Sequence, residues 1–159
     1  MFKEHKFDKK TFIGGWYIPE KLCDKLIQYY DDNEPNWKQG VMYSNATFLS
    51  VNKESKDSTD LYISPNCEDD PIVTYRLQLS KMIKLYQKKY PQLENYEHYN
   101  VHEFYNIQKY KANGGFKHWH CERNSKTLSN RVLVFATYLY NIKNGGTEFC
   151  YLDKTVPSK

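Results

Sequence analysis

The sequence predicts an α+β protein, mainly β, in which an antiparallel sandwich or jelly roll is supported by helices near the N-terminus. Two segments in the first 95 residues carry apolar side chains at helical spacing. From residue 96 onward, β-prone runs alternate with glycine-containing turns, and the run 132–140 is apolar on both faces. A chain of 159 residues is long enough for one domain with a single core.

Two helices are predicted. The first covers residues 19–32, where Pro19 suits the first helical turn and Leu22, Leu26 and Tyr30 recur at helical spacing. The second begins after the acidic pair that precedes Pro71 and ends near Pro91. Its apolar stripe is expected to face the core and consists of Ile72, Tyr75, Leu79, Met82, Tyr86 and Tyr90.

The remaining elements are predicted from alternation and turn residues. Residues 41–51 suggest a strand, and the polar stretch 53–60 suggests a surface loop. Strand character returns at 102–110 and, after a turn at 111–115, at 116–122. A polar loop at 124–130 then leads into a buried strand at 132–140. A hairpin turn at 144–146 and a return strand at 147–152 follow.

Composition narrows the possible functions. Twenty-three basic and 19 acidic residues give a net charge of +4, and no basic stripe with interleaved aromatics argues for nucleic acid. No run approaches the roughly 18 apolar residues of a membrane span, and the charged N-terminus lacks the apolar middle of a secretory signal. We therefore expect a cytoplasmic protein, and the four widely spaced cysteines are expected to be reduced thiols.

The residues that suggest chemistry follow a glycine pair. On a strand, His118, His120 and Glu122 share one face, with Trp119 and Cys121 on the other. An imidazole nitrogen and a carboxylate oxygen two residues apart can reach one metal ion. An oxygen-activating site with two histidines and one carboxylate needs a third ligand, and no histidine follows Glu122 in the sequence.

The order of motifs around this pair carries a resemblance. The elements are Tyr110 through Gly115, then His120-Cys121-Glu122, then Arg131 with Tyr138-Leu139, then Gly145-Gly146-Thr147-Glu148-Phe149. Together they resemble the iron(II)- and 2-oxoglutarate-dependent dioxygenases, in particular the prolyl 4-hydroxylase-like branch in its small microbial and phage-borne form. The resemblance spans most of the chain and is strongest from residue 105 to residue 152.

The resemblance implies a double-stranded β-helix, the jelly-roll form of this family, with its C-terminal strands missing. Residues 1–159 would be one incomplete dioxygenase domain, with 1–95 as a helical and strand lead-in and 96–159 as the N-terminal part of the jelly-roll core. His120 and Glu122 would be catalytic iron ligands, although most relatives carry Asp at the second position. The hydroxyl of Tyr110 would contact 2-oxoglutarate, with packing in the barrel mouth as its other interpretation.

The implied reaction uses dioxygen to couple oxidative decarboxylation of 2-oxoglutarate to hydroxylation of an unactivated C–H bond, with ascorbate as the reductant. A peptide containing prolyl residues or a small molecule is the expected substrate. The second histidine ligand and the basic residue that binds 2-oxoglutarate have no counterpart in the sequence, so we expect a chain truncated at its C-terminus.

An alternative is a jelly-roll binding or structural module without catalysis, or an inactive fragment. His118 is expected at the edge of the pocket, since the spacing to Glu122 fits a cupin-type metal site poorly. The sequence indicates neither the substrate nor the oligomeric state.

Overall fold

A computed structural model describes residues 2–44, 48–96, 98–123 and 125–159. Within these residues the chain forms two α-helices and nine short strands, and the paired strands are antiparallel. In chain order they are β1 (Glu4–His5), β2 (Gly15–Trp16), α1 (Glu20–Asp32), β3 (Lys38–Gln39), β4 (Met42–Ser44), β5 (Phe48–Ser50), β6 (Ser58–Ile63), α2 (Ile72–Lys89), β7 (Tyr105–Tyr110), β8 (Gly146–Phe149) and β9 (Lys154–Pro157). The predicted α+β class is confirmed.

The chain divides into two compact units. The first unit comprises Met1–Tyr29, Asn66–Val101 and Tyr138–Lys159, and the second comprises Tyr30–Pro65 and His102–Thr137. Each unit therefore contains residues from both the predicted lead-in, 1–95, and the predicted jelly-roll part, 96–159. In the part of the chain that the structure describes, neither helix is both long and apolar enough to cross a membrane.

Both helices lie where the sequence predicts them. Helix α1 begins directly after Pro19, and its residues Leu22, Leu26 and Tyr30 are buried. Four of the six residues of the predicted stripe are buried, namely Ile72, Tyr75 and Leu79 in helix α2 and Tyr90 just beyond its end. It stops where Pro91 follows, because the residue before a proline disfavours helical geometry. Local periodicity was sufficient for both predictions.

The sheet of the second unit has the strand order β3–β6–β7. The central strand, β6, pairs along its whole length with β7, from Ser58 opposite Tyr110 to Ile63 opposite Tyr105. Its Leu61 and Ile63 are buried, which places the core of this unit against the sheet. Strand β7 confirms the predicted strand at 102–110 over its second half, and Gly114 N–H donates to Lys111 O in the predicted turn that follows.

The predicted surface loop at 53–60 is wrong. Residues 58–60 belong to β6, and Ser55, Lys56, Ser58 and Asp60 are buried. The Asp60 carboxylate accepts hydrogen bonds from Lys56 Nζ and Ser58 Oγ, each at 2.7 Å. Polar side chains can be buried when they satisfy one another. A polarity pattern therefore cannot distinguish such a strand from a loop.

Two predicted strands are not formed. In 116–122, Phe116 makes an isolated antiparallel bridge to Lys56, and the other described residues are in no strand. In 132–140 no residue is in a strand, and Val134 and Tyr140 are 64% and 58% exposed. A β-prone segment becomes a strand only when another segment pairs with it. Among the described residues, none does so for 132–140.

Hairpins account for the other predicted strands. The predicted strand at 41–51 is the hairpin β4–β5, and its residues 45–47 lie outside the described residues. The predicted turn at 144–146 is present, because Gly145 N–H donates to Ile142 O and Asn144 has φ 63°. However, β8 pairs forward with β9 rather than back with 132–140. In the predicted loop at 124–130, residues 125–130 form bends and turns and no strand or helix, and Asn124 is not described.

Candidate metal site

The candidate site lies in the second unit, in the segment that follows β7. This segment is joined to the residues before β6 by backbone hydrogen bonds. Asp57 N–H donates to Gly115 O at 3.2 Å, and Lys117 N–H donates to Ser55 O at 2.7 Å. These bonds and the Lys56–Phe116 bridge hold the beginning of the segment against the sheet. The predicted site residues therefore start from an anchored backbone although they are not on a strand.

The imidazole of His120 is oriented by two contacts. Its ring stacks on Phe116, with centroids 3.9 Å apart and the planes at 17°. Its Nδ1 lies 2.9 Å from the carbonyl oxygen of His118, which only accepts hydrogen bonds, so Nδ1 carries the proton. In the neutral ring the lone pair then belongs to Nε2. A histidine that binds metal through one nitrogen usually donates from the other in this way.

Glu122 faces this nitrogen. Its Oε1 lies 3.5 Å from His120 Nε2, and both side chains are about two-fifths exposed. Two ligand atoms that each lie about 2.1 Å from one ion are about 3.4 Å apart in tetrahedral geometry and about 3.0 Å apart at the right angle of an octahedral ion, so the observed spacing is close to both. A proton on Nε2 would also bring the two groups together as an ion pair. The donor chemistry and the spacing therefore fit a divalent metal held by His120 and Glu122.

The second oxygen of Glu122 is held by Arg131. Arg131 Nη1 donates to Glu122 Oε2 at 2.8 Å and lies 3.4 Å from the Glu122 carbonyl oxygen. The same guanidinium donates to Glu103 Oε2 from Nη2 at 2.8 Å and from Nε at 3.2 Å. Arg131 was recognised in the sequence only as part of a motif, and Glu103 was missed. No pattern in a single sequence marks Glu103, since its partner lies 28 residues away.

Tyr110, the predicted 2-oxoglutarate contact, closes strand β7. Its hydroxyl donates to Gln108 Oε1 at 3.0 Å. Partial burial and then the nearby negative charge of Asp60 raise the pKa of Tyr110 to about 12, against an opposing effect of Ser58. Among the described residues, Tyr110 makes no hydrogen bond to His120 or Glu122. The structure thus brings together two of the three predicted site residues.

The other histidines do not add a ligand. His118 is exposed and supports His120 through its backbone carbonyl, while His102 Nε2 lies 3.4 Å from Asn130 Nδ2. The described ranges contain no group of three or more His, Cys, Asp or Glu side chains that could hold a metal. Cys121 is exposed rather than turned into a core, because the segment is not a strand with an inner face. Among the described residues, the site therefore provides two protein donors.

No protein-family model matches the chain, and searches of curated proteins and of solved structures also gave no match.

Proposed function

We propose that this protein is an Fe(II)- and 2-oxoglutarate-dependent dioxygenase that hydroxylates an unactivated C–H bond. The observation that carries the proposal is the convergence of His120 Nε2 and Glu122 Oε1 at 3.5 Å, with His120 Nδ1 held by a carbonyl. An imidazole and a carboxylate are two of the three protein ligands in non-haem iron oxygenases. The order of the surrounding motifs, from Tyr110 to Phe149, supports the same assignment.

The proposed fold is a double-stranded β-helix, of which the described residues would form part. Antiparallel pairing and the β-prone, two-sided apolar segment 132–140 support it. The proposed fold requires that this segment be covered on both faces. The proposed reaction also requires a second histidine ligand and a basic residue that pairs with the distal carboxylate of 2-oxoglutarate.

The residues of this chain have separate tasks in the proposed reaction. When bound, Fe(II) and 2-oxoglutarate would supply the oxidation with dioxygen: one oxygen atom enters succinate as the keto acid loses carbon dioxide, the other enters the hydroxylated substrate, and ascorbate keeps the iron ferrous. His120 and Glu122 would hold the metal through one nitrogen and one oxygen, as two of the three protein ligands of such a site. Arg131 keeps one oxygen of Glu122 occupied, so that the other oxygen faces the metal position. The Tyr110 hydroxyl, protonated at neutral pH, would donate a hydrogen bond to 2-oxoglutarate in place of Gln108 Oε1.

Succinate formation tests the proposed activity. The full gene product is incubated with Fe(II), 2-oxoglutarate and ascorbate, alone and with proline-containing peptides or small molecules, and succinate is measured. We expect turnover in the native protein and none in His120→Ala or Glu122→Ala. Tyr110→Phe should raise the KM for 2-oxoglutarate with little change in kcat. Folded native protein that binds Fe(II) without producing succinate would contradict the assignment.

A second candidate function is a binding or structural module without catalysis. The specific observation in its favour is that the described residues offer two metal donors rather than three. Metal binding separates the two candidates independently of turnover. Under the dioxygenase proposal, Glu122→Ala abolishes Co(II) or Fe(II) binding. Under the module alternative, the native protein and the variant give the same titration.

A further inference from the structure

We infer that Arg131 is a positioning residue for the metal ligand Glu122, and that Glu103 in turn anchors Arg131. This inference rests on the proposed metal site. It adds two residues to that site which contact no metal themselves and which act through the orientation and charge of Glu122.

The orientation of the Glu122 carboxylate follows from which of its two oxygens each neighbouring side chain contacts. Arg131 Nη1 contacts Oε2 at 2.8 Å, while His120 Nε2 faces Oε1 at 3.5 Å. One carboxylate oxygen is therefore engaged by the guanidinium and the other is left for a cation beside His120. Such an arrangement favours binding through a single oxygen, because chelation by both would require Oε2 to leave Arg131.

The length of the glutamate makes this restraint necessary. A glutamate has one more methylene than an aspartate, and Glu122 is about 39% exposed, so its carboxylate has conformations to lose when a metal binds. The guanidinium is planar and loses little freedom for each hydrogen bond it forms. Arg131 Nη1 also lies 3.4 Å from the Glu122 carbonyl oxygen. The same guanidinium therefore contacts both the side chain and the backbone of Glu122. Arg131 thus orders the ligand before the metal arrives.

Glu103 preserves the negative charge that a metal ligand needs. A lone arginine would neutralise Glu122 and weaken its attraction for a cation. Here Arg131 also contacts Glu103 Oε2 through Nη2 at 2.8 Å and Nε at 3.2 Å. Two carboxylates and one guanidinium leave one net negative charge for the group. The cluster can therefore be ordered by a cation and still attract a divalent metal.

Anaerobic titration with Co(II), followed by calorimetry and by the visible absorption of the bound metal, tests the inference. We expect Arg131→Met to weaken Co(II) binding about 10- to 100-fold, the usual cost of losing a partner behind a metal ligand. Arg131→Lys should lie between Arg131→Met and the native protein, because an ammonium can hold Oε2 without the second contact. At saturating Co(II), Arg131→Met should also shift the visible bands, since Glu122 is then free to bind through both oxygens.

Lys109→Met is the matched control. It removes the same charge from the same unit, at an exposed ion pair with Asp31 of 3.4 Å, and should bind Co(II) like the native protein. If Arg131→Met does not fold, judged by far-ultraviolet circular dichroism, Arg131→Lys and Glu103→Gln decide. Glu103→Gln should weaken Co(II) binding in the same direction as Arg131→Lys.

The Co(II) titrations distinguish a failure of the metal site from a failure of the positioning role. If the native protein binds no Co(II), or binds it as well after His120→Ala, the metal site itself is wrong. If the native protein binds Co(II) and His120→Ala abolishes binding, the site stands. Native-like affinity and spectra in the folded Arg131 and Glu103 variants would then overturn the positioning role alone.

Discussion

At the scale of single residues, the buried pair of Lys56 and Asp60 is the clearest departure from expectation. The side chains are 5% and 0% exposed, and the Nζ–Oδ2 distance is 2.7 Å. Asn106 Nδ2 and Gln108 Nε2 also lie 3.3 Å from Asp60 Oδ2, so donors from β7 reach the same carboxylate. This group sits in the strand beside which the candidate site is anchored. Its stability should therefore determine that of the second unit.

Lys56→Met is expected to destabilise the second unit by about 3–5 kcal/mol, because it leaves the Asp60 charge buried without its cation. Urea unfolding followed by tryptophan fluorescence measures the change, with Trp37 stacked on Tyr30 as a reporter in this unit. Lys109→Met removes an exposed ion pair and cation–π contacts to the Tyr30 and Trp37 rings, and should cost less than about 2 kcal/mol. Equal losses in the two variants would contradict the described burial.

The side-chain length at position 122 gives a second residue-scale prediction. Shortening Glu122 to Asp is expected to weaken Co(II) binding by at least about tenfold, the lower end of the effect of losing one supporting partner. The reason is that the shorter carboxylate cannot face His120 and contact Arg131 at the same time. Calorimetric titration measures the loss, with Asp31→Glu as a control for an exposed carboxylate elsewhere in the unit. Tighter binding in Glu122→Asp would oppose this geometry.

At the scale of elements, the sequence predicted helices better than strands. The apolar stripe of α2 repeats within one segment, so the sequence of residues 72–89 is enough to predict the helix. The strand at 132–140 was predicted from composition on both faces, although whether it forms depends on a partner elsewhere in the chain. In the site, His120 and Glu122 could be predicted from their spacing. The Glu103–Arg131 contact could not, because it is set by the path of the chain between them.

The turn before the hairpin β8–β9 was predicted from the sequence, but the pairing of β8 with β9 was not. This hairpin gives a prediction at the scale of elements. Gly146 has φ 140°, and a Cβ there would lie 2.1 Å from Val156 O. Gly146→Ala should therefore destabilise the hairpin by about 1–3 kcal/mol, the range for a strained backbone conformation. Hydrogen exchange of the β8 and β9 amides measures this.

Gly115→Ala is the matched control for the hairpin, since nothing lies within 4 Å of a Cβ at Gly115. It should leave the exchange of the β8 and β9 amides unchanged. Normal protection of those amides in Gly146→Ala would mean that β8 does not pair with β9 in solution.

At the scale of the whole molecule, the question for the proposed jelly roll is whether the apolar segment 132–140 is covered on both faces. A central jelly-roll strand is covered on both faces, whereas Val134 is 64% exposed here. Leu128, in the same unit, is 7% exposed and provides an internal standard for a buried side chain. The change in the free energy of unfolding caused by a charge at position 134 therefore measures whether this segment is covered.

Val134→Lys in this chain is expected to change the free energy of unfolding by less than about 0.5 kcal/mol, as for other surface substitutions. Leu128→Ala should cost about 2–5 kcal/mol by leaving a cavity. If the proposed fold is correct, Val134→Lys becomes strongly destabilising in any longer product of the gene, because added strands then bury the lysine. Urea unfolding of both lengths provides the comparison. A small effect in both would leave the segment exposed and argue against the double-stranded β-helix, while His120 and Glu122 would still have to be tested by their metal.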